Sequence, residues 1–264
     1  MKPRNPVERL NNDLEKFKKT QPYISLMSEE FANCMDENDE LRTYRSRFEF
    51  PLRGTIPIEE PQGDPQSPCI YMCGNSLGLK PRQADLYMSE QLAAGGSQAV
   101  FMHFNGRIPA ALADQPGKRM TARLVGAGSL DEVTIMNGLT VNLQLLMLAF
   151  YRPSGKRNKI LVEDHAFPSD RYAVRSLLKI KGVPEDCMVL VKPRPGEDTI
   201  RTEDILETIR DHEDSLALVM LSGVQYYTGQ LFDIPAITAA GHQVGAVVGW
   251  DRAHAVANVD LPLT

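Results

Sequence analysis

Three short segments of the sequence place reactive or ligand-binding side chains directly before a helix or after a strand. The first is Asn137-Gly138-Leu139-Thr140, which precedes an apolar stretch with helical periodicity. Free backbone N–H groups and the helix dipole make such a helix start a phosphate site, to which the Thr140 hydroxyl would add a donor. A threonine N-cap that follows a glycine turn is the structural alternative. The sequence alone leaves both interpretations open.

The second segment, Ala166-Phe167-Pro168-Ser169-Asp170, follows the short apolar run at residues 159–162. An exposed phenylalanine at the end of a strand can stack on a flat ring. The structural alternative is the entry to a helix, with Pro168 before the first turn and Ser169 as the cap. Taken alone, this segment also has two interpretations.

The third segment, Trp250-Asp251-Arg252-Ala253-His254, follows the apolar run at residues 246–250. A carboxylate at the end of a buried strand needs a cation or a strong donor. A pyridinium N–H would serve, and an aspartate there keeps such a ring protonated, so that the ring acts as an electron sink. His254 could orient that carboxylate, whereas a buried Arg252 would itself need a partner. A metal site and an ordinary loop are the alternatives, although no further metal ligand is obvious.

The elements that must position these segments alternate between strand and helix from about residue 120. The sequence predicts strands at 159–162, 187–191, 216–221 and 246–250, and helices at 140–150, 169–180, 202–212 and 235–242. This alternation predicts an α/β domain with a mostly parallel sheet. Ligands of such sheets lie at the carboxyl ends of the strands, where all three segments are expected.

Composition and charge narrow the class of protein. The chain is 42% hydrophobic and 24% charged, with a net charge of −5, so it has no basic excess for binding nucleic acid or anionic lipid. No apolar run approaches the roughly 20 residues that cross a bilayer, and the first twenty residues lack the apolar core of a signal peptide. The four cysteines show no metal-binding or redox spacing. We therefore expect a soluble, cytoplasmic protein without a metal site.

Five segments, in order along the chain, resemble those of the kynureninases. They are Tyr71–Leu79 (YMCGNSLGL), Met136–Met147 (MNGLTVNLQLLM), Phe167–Asp170 with Tyr172, Ser222–Gln230 (SGVQYYTGQ) and Gly249–Asn258 (GWDRAHAVAN). The resemblance implies the fold of the aspartate-aminotransferase-like, type I pyridoxal-phosphate enzymes. It also implies hydrolytic cleavage of kynurenine or 3-hydroxykynurenine to an anthranilate and alanine, in tryptophan catabolism and NAD biosynthesis, by a homodimer.

The same resemblance implies roles for individual residues. It implies that Leu139 and Thr140 bind the cofactor phosphate, with Ser222 nearby. It places Phe167 against the ring, with Pro168, Ser169 and Asp170 in the same cofactor-binding segment. Asp251 would pair with the ring nitrogen, and His254 would lie beside it. Ser76 and His103 match positions that face the substrate, although Met102 stands where the family has a glycine before that histidine.

One part of the family pattern is missing. The Schiff-base lysine of the family follows the Asp-x-x-His segment within a Tyr-Lys-Tyr-Leu-Asn run, whereas the last lysine here is Lys192. We therefore assign no catalytic residue, and expect pyridoxal phosphate to bind non-covalently at best and this polypeptide alone to have no turnover.

The predicted organisation is an N-terminal helical segment and connector at residues 1–68, part of a small domain, and a cofactor-binding large domain at residues 69–264, incomplete at its C-terminus.

A catalytically dead protein that binds pyridoxal phosphate or pairs with another subunit is the alternative function. A cysteine-desulfurase-like lyase is a third, against which the CGNSLG and FPSD segments argue.

Overall fold

The computed structural model describes residues 6–58 and 63–259. The chain divides into two compact units, Met1–Ala93 and Ala94–Thr264, and the division lies within helix α3 (Gln83–Gln98). The predicted division at residue 68, which concerned cofactor binding, stays a prediction. No helix among the described residues is both long enough and apolar enough to cross a membrane.

The first unit is helical at its N-terminal end, as predicted. Helix α1 spans Pro6–Thr20 and α2 spans Glu29–Asn38, followed by 3-10 helices at Arg42–Arg47 and Arg53–Thr55. The Ser28 hydroxyl caps α2 by accepting the N–H of Phe31. The rings of Phe17 and Phe31 meet edge to face at 4.7 Å, which packs α1 against α2.

The second unit alternates strands and helices. Its helices are α4 (Gln115–Leu124), α5 (Leu139–Phe150), α6 (Pro168–Ile180), α7 (Thr202–Asp211) and α8 (Ile234–Gln243), and its strands are β1 (Lys159–Glu163), β2 (Met188–Val191), β3 (Leu216–Ser222) and β4 (Val247–Asp251). Short 3-10 helices lie at Ala99–His103, Ala110–Leu112, Leu130–Glu132 and Glu185–Cys187. Every strand and helix predicted after residue 120 is present, with no end shifted by more than one residue.

The four strands form one parallel sheet in the order β2-β1-β3-β4. Side chains alternate between its two faces, because successive strand residues point in opposite directions. On one face Ile160 and Val162 join a core with α5 and α6, and on the other Leu161 joins a core with α7 and α8. A parallel sheet covered by helices on both faces is the predicted α/β architecture.

The sheet changes its winding direction between β1 and β3. From β1 the chain passes through α6, on one face, to β2; it then returns through α7, on the other face, to β3. Ligands of open α/β sheets bind at the carboxyl ends of the strands on either side of such a switch point. Here those two strands end at Glu163 and Ser222.

Candidate functional site

Three buried carboxyl groups lie at the carboxyl edge of the sheet. Glu163 ends β1, Asp251 ends β4 and Asp170 lies in the first turn of α6, with exposed fractions of 1%, 6% and 5%. The carboxyl groups of Asp170 and Asp251 are hydrogen-bonded to each other. Within residues 6–58 and 63–259, no basic side chain forms an ion pair with any of the three. Burial of acidic groups without a cation is costly, so these side chains are not explained by folding alone.

The hydrogen bond between two carboxyl groups requires a proton. Burial, reinforced by the hydrogen bond and the negative charge of Asp251, raises the pKa of Asp170 to about 8. Burial also raises the pKa of Glu163, although two hydrogen bonds from Ser222 oppose the shift. At neutral pH the Asp170 carboxyl therefore keeps its proton and donates a hydrogen bond to Asp251.

Hydrogen bonds connect the ends of three neighbouring strands. The Ser222 backbone N–H donates to Glu163 Oε2 at 3.0 Å, and the Ser222 hydroxyl donates to Glu163 Oε1 at 2.7 Å. The next N–H, of Gly223, donates to the backbone oxygen of Asp251 at 2.6 Å. Asp251 Oδ1 accepts the N–H of Ala253 at 2.8 Å. The side chains at the ends of β1, β3 and β4 are thus held by a continuous set of hydrogen bonds.

A row of aromatic rings borders the acidic side chains. The half-exposed ring of Phe167, directly before α6, meets the Tyr226 ring edge to face at 5.1 Å. The Tyr226 ring centroid lies 6.5 Å from that of His254. Phe167, His254, Asp170 and Asp251 therefore belong to one region of the second unit, and their roles in a ring-binding site stay predictions.

The start of α6 corrects one interpretation of this segment. The helix begins at Pro168, and its N-cap is Phe167, which makes no side-chain capping bond. The expectation that Ser169 caps the helix is therefore wrong. The Ser169 hydroxyl instead lies 3.3 Å from Asp170 Oδ1, where it stabilises the ionised form of that carboxyl.

The start of α5 excludes a threonine cap. The helix begins at Leu139, and its N-cap is Gly138, so Thr140 lies inside the first turn. Asn137 adopts a left-handed φ of 38°, and its amide lies 3.1 Å from Asn142 Oδ1. With no side chain capping the helix, its first N–H groups are available for an anion. In the described ranges no hydrogen bond or ring contact joins Thr140 to Phe167 or Asp251, so a shared phosphate site stays a prediction.

The two residues predicted to face the substrate lie far from the acidic side chains in sequence, and only His103 shares their unit. Ser76 is an exposed residue of the first unit, in a turn where its N–H donates to the Cys73 oxygen at 3.0 Å. His103 ends a 3-10 helix of the second unit, with its ring 6.2 Å from that of Phe104. Their roles toward a substrate stay predictions.

A cleft of about 800 Å³ adjoins the site and shares Glu163 and Tyr226 with it. The buried Gln225 shapes its wall, because its amide donates to the His165 oxygen at 2.8 Å and its carbonyl accepts the N–H of Tyr227. His165 adopts a left-handed φ of 50° at the rim. Such strain is common beside ligand sites, and the volume lies in the range of small-molecule pockets.

Two residues of this region had no role in the sequence-based prediction. Glu163 was not identified as a site residue because the apolar run predicted a strand that ends at Val162, one residue before the observed end. Tyr226 stands in a recognised segment, but only its ring contacts with Phe167 and His254 reveal a place at the site. The half-buried Arg252 was expected to need a partner, and within the described residues its Nη1 has none. Nothing in the structure explains that arginine.

In the part of the chain that the structure describes, no three His, Cys, Asp or Glu side chains are placed to hold a metal ion. The direct bond between Asp170 and Asp251 also uses the oxygen atoms that a cation would need. A ligand with its own N–H donor matches the pair better.

Comparison with known proteins agrees with the geometry. The family model described as aminotransferase class-V matches residues 91–262. The chain is 47% identical to the kynureninase of Myxococcus xanthus over 92% of this chain and 55% of that protein. It is 45% identical to the kynureninase of Homo sapiens over 89% of this chain and 51% of that protein. The chain thus spans about half the length of the curated relatives it matches.

Solved structures support the fold alone, because their sequences are distant. The cysteine desulfurase CsdA of Escherichia coli aligns with a TM-score of 0.59 and 14% identity, over 85% of this chain and 51% of that one. A C-DES mutant with glycine covalently linked to its pyridoxal-phosphate cofactor aligns with a TM-score of 0.50 and 18% identity, over 71% of this chain and 47% of that one. With the family model covering most of its second unit, the chain belongs to the aminotransferase class-V family, and its nearly full-length sequence similarity is to kynureninases.

Proposed function

We propose that this chain supplies the cofactor-binding part of a kynureninase, which hydrolyses kynurenine or 3-hydroxykynurenine to an anthranilate and alanine. The observation that carries the proposal is the buried Asp170–Asp251 carboxyl pair at the carboxyl edge of the sheet, which has no cationic partner among the described residues. The similarity to kynureninases selects this reaction from the many that the fold supports.

The described residues fit pyridoxal phosphate. Asp251 would accept a hydrogen bond from the ring N–H, and Phe167, half exposed beside it, would stack on the ring. The uncapped start of α5, at Leu139 and Thr140, would bind the phosphate. When bound, pyridoxal phosphate withdraws electrons from the substrate, and it does so best with a protonated ring nitrogen. His254, next to Tyr226, would help to orient the ring.

The carboxyl pair suits the binding of a ring N–H because Asp251 can exchange one hydrogen-bond donor, the Asp170 carboxyl, for another, the ring N–H. Without a ligand, the proton of Asp170 satisfies Asp251. If a ring N–H took its place, the Asp170 carboxyl would be free to release or reorient its proton. Asp251 would then hold a proton on the ring nitrogen through a charge-assisted hydrogen bond.

This polypeptide alone is proposed to bind the cofactor without turnover. In residues 6–58 and 63–259 no lysine forms a hydrogen bond or an ion pair with Phe167, Asp170 or Asp251. Covalent capture of the cofactor needs an amine at the site. Kynurenine hydrolysis therefore requires groups that the described residues do not place there, and pairing with a second copy or a longer subunit belongs to the same proposal.

Ligand binding tests the proposal directly. Pyridoxamine 5'-phosphate has the ring and the phosphate but cannot form a covalent bond with lysine. The single tryptophan, Trp250, precedes Asp251 and reports binding by fluorescence. We expect saturable binding to the wild type, about tenfold weaker binding to Asp251→Asn, and unchanged binding to the exposed control Asp214→Asn.

Two results would refute the proposal. One is the absence of saturable pyridoxamine phosphate binding to the folded wild type. The other is equal affinity of the wild type and Asp251→Asn. Anthranilate release from kynurenine by this polypeptide alone, or fixation of pyridoxal phosphate to one lysine by borohydride, would contradict binding without turnover.

A further inference from the structure

Glu163 is the most deeply buried acidic residue that the proposed function leaves without a role. Its exposed fraction is 1%, and it ends β1 on one side of the switch point of the sheet. The pairing of β1 with β3 has an irregularity between Lys159 and Ile160 and ends at Leu161 and Val219, so Glu163 lies beyond the paired residues of these two strands. An apolar residue at that position would avoid the cost of desolvating a carboxylate. The burial of Glu163 therefore calls for a specific partner.

That partner is Ser222, through two groups. The backbone N–H and the hydroxyl of Ser222 both donate to the Glu163 carboxylate, at 3.0 and 2.7 Å. The Ser222 oxygen lies 2.7 and 2.9 Å from the two carboxyl oxygens of Glu163, so its single hydroxyl proton is directed at that side chain. The lone pairs of the Ser222 oxygen are thereby left for another donor.

The contact also reaches the carboxyl pair. Gly223, the residue after Ser222, donates its N–H to the backbone oxygen of Asp251 at 2.6 Å. Asp251 is in turn bonded to Asp170. A change at Glu163 would thus alter the position of Ser222 first and of Asp251 second.

We propose that Glu163 is a positioning residue, which fixes the Ser222 hydroxyl as a hydrogen-bond acceptor toward the bound ligand. This inference rests on the proposed function and deepens it. It assigns to Ser222 a protonated partner, such as an N–H or O–H group of the cofactor or substrate. A serine whose proton is committed to Glu163 cannot donate to a phosphate oxygen.

The variant Glu163→Gln separates this role from simple packing. The amide has nearly the same shape as the carboxylate, but its NH₂ group donates to the Ser222 oxygen and turns the hydroxyl proton outward. The hydrogen-bonding polarity of Ser222 is thereby reversed while the contact survives. Ser222→Ala removes the hydroxyl altogether, and Glu207→Gln on the exposed side of α7 serves as the matched control.

The experiment is a double-mutant cycle on pyridoxamine 5'-phosphate binding, read by Trp250 fluorescence. We expect about tenfold weaker binding for Glu163→Gln and for Ser222→Ala, and about tenfold rather than hundredfold for the double variant, because Glu163 acts only through Ser222. Glu207→Gln should bind like the wild type. Urea unfolding of each variant gives its free energy of unfolding, which would change if the role of Glu163 or Ser222 were merely structural. The comparison shows whether stability follows the same pattern as affinity.

Three results would overturn the inference. Effects that multiply to about a hundredfold would show that Glu163 acts independently of Ser222. Unchanged affinity in Glu163→Gln would remove the positioning role, and unchanged affinity in Ser222→Ala would do so even if Glu163→Gln failed to fold. Both of these leave the proposed function intact, whereas a folded wild type that binds no pyridoxamine phosphate refutes the proposed function and this inference together.

Discussion

Replacement of Asp170 by asparagine tests whether the buried carboxyl pair shares a proton. The side chain is 5% exposed, and burial with the adjacent Asp251 raises its pKa from 3.8 to about 8. The folded protein therefore holds a proton on Asp170 across a pH range in which the unfolded chain does not. Asparagine keeps the shape and a hydrogen-bond donor toward Asp251 but cannot lose a proton.

The magnitude follows from proton linkage. Between about pH 4 and pH 8 the folded state binds one proton more than the unfolded chain at this residue, so the free energy of unfolding falls by about 1.4 kcal/mol per pH unit. From pH 5 to pH 7 the wild type should therefore lose about 3 kcal/mol relative to Asp170→Asn. The stability contributed by the neutral carboxyl is complete below pH 4 and is lost as the pH passes 8. Above that value the difference between the two proteins should level off.

Urea unfolding at closely spaced pH values measures this difference. Asp214→Asn, which changes an exposed aspartate of the same unit, is the control and should follow the wild type at every pH. Parallel stability curves for the wild type and Asp170→Asn between pH 5 and pH 8 would show that Asp170 is ionised in the folded protein. The shared proton, and the donor exchange proposed for ligand binding, would then be wrong.

Three further substitutions test the packing that supports the site, each by urea unfolding against the wild type. Leu177→Ala empties a fully buried position under the sheet and should cost about 2–5 kcal/mol; a loss below about 1 kcal/mol would contradict the described core. Tyr151→Phe removes the bond from the buried hydroxyl to the Asn158 oxygen (2.6 Å) and should cost about 1 kcal/mol. Gly241→Ala would place a methyl group 2.5 Å from Val248 and should cost about 1–3 kcal/mol, whereas a neutral effect would show that α8 can move away from β4.

The sheet and its helices were predictable because their signals are local. Runs such as LALVML at 216–221 are apolar throughout, as expected of a strand covered on both faces, and the intervening helices show the 3.6-residue period. Strand ends were less predictable. Glu163, Ser222 and Asp251 all continue their strands by one residue, because backbone pairing extends to polar side chains that a hydropathy pattern excludes.

Contacts between distant segments could not be derived from local patterns. The bond between Asp170 and Asp251 joins residues 81 positions apart in sequence, and the Phe167–Tyr226 ring contact joins residues 59 apart. Family resemblance named Phe167, Asp170 and Asp251 as cofactor residues, but it gave no protonation state and no role for Glu163. Capping was mispredicted for a physical reason: Pro168 begins α6 without a side-chain cap, so Ser169 enters the helix.

The acids that reduce the stability of the protein at alkaline pH would also favour the proposed binding of a pyridinium ring. Glu163 and Asp170 oppose folding at alkaline pH because burial raises the pKa of each carboxyl group above its usual range. A sequence selected only for stability would replace them with apolar side chains, as buried ionic groups often can be without loss. Their clustering at the switch point of the sheet therefore indicates selection for a ligand. A ligand N–H bound to Asp251 would replace the Asp170 proton and so favour the ionised form of Asp170, so pyridoxamine phosphate should raise the stability of the wild type more at pH 8 than at pH 6. Equal stabilisation at both pH values would show that ligand binding does not depend on the ionisation of the buried acids, and would leave their burial unexplained.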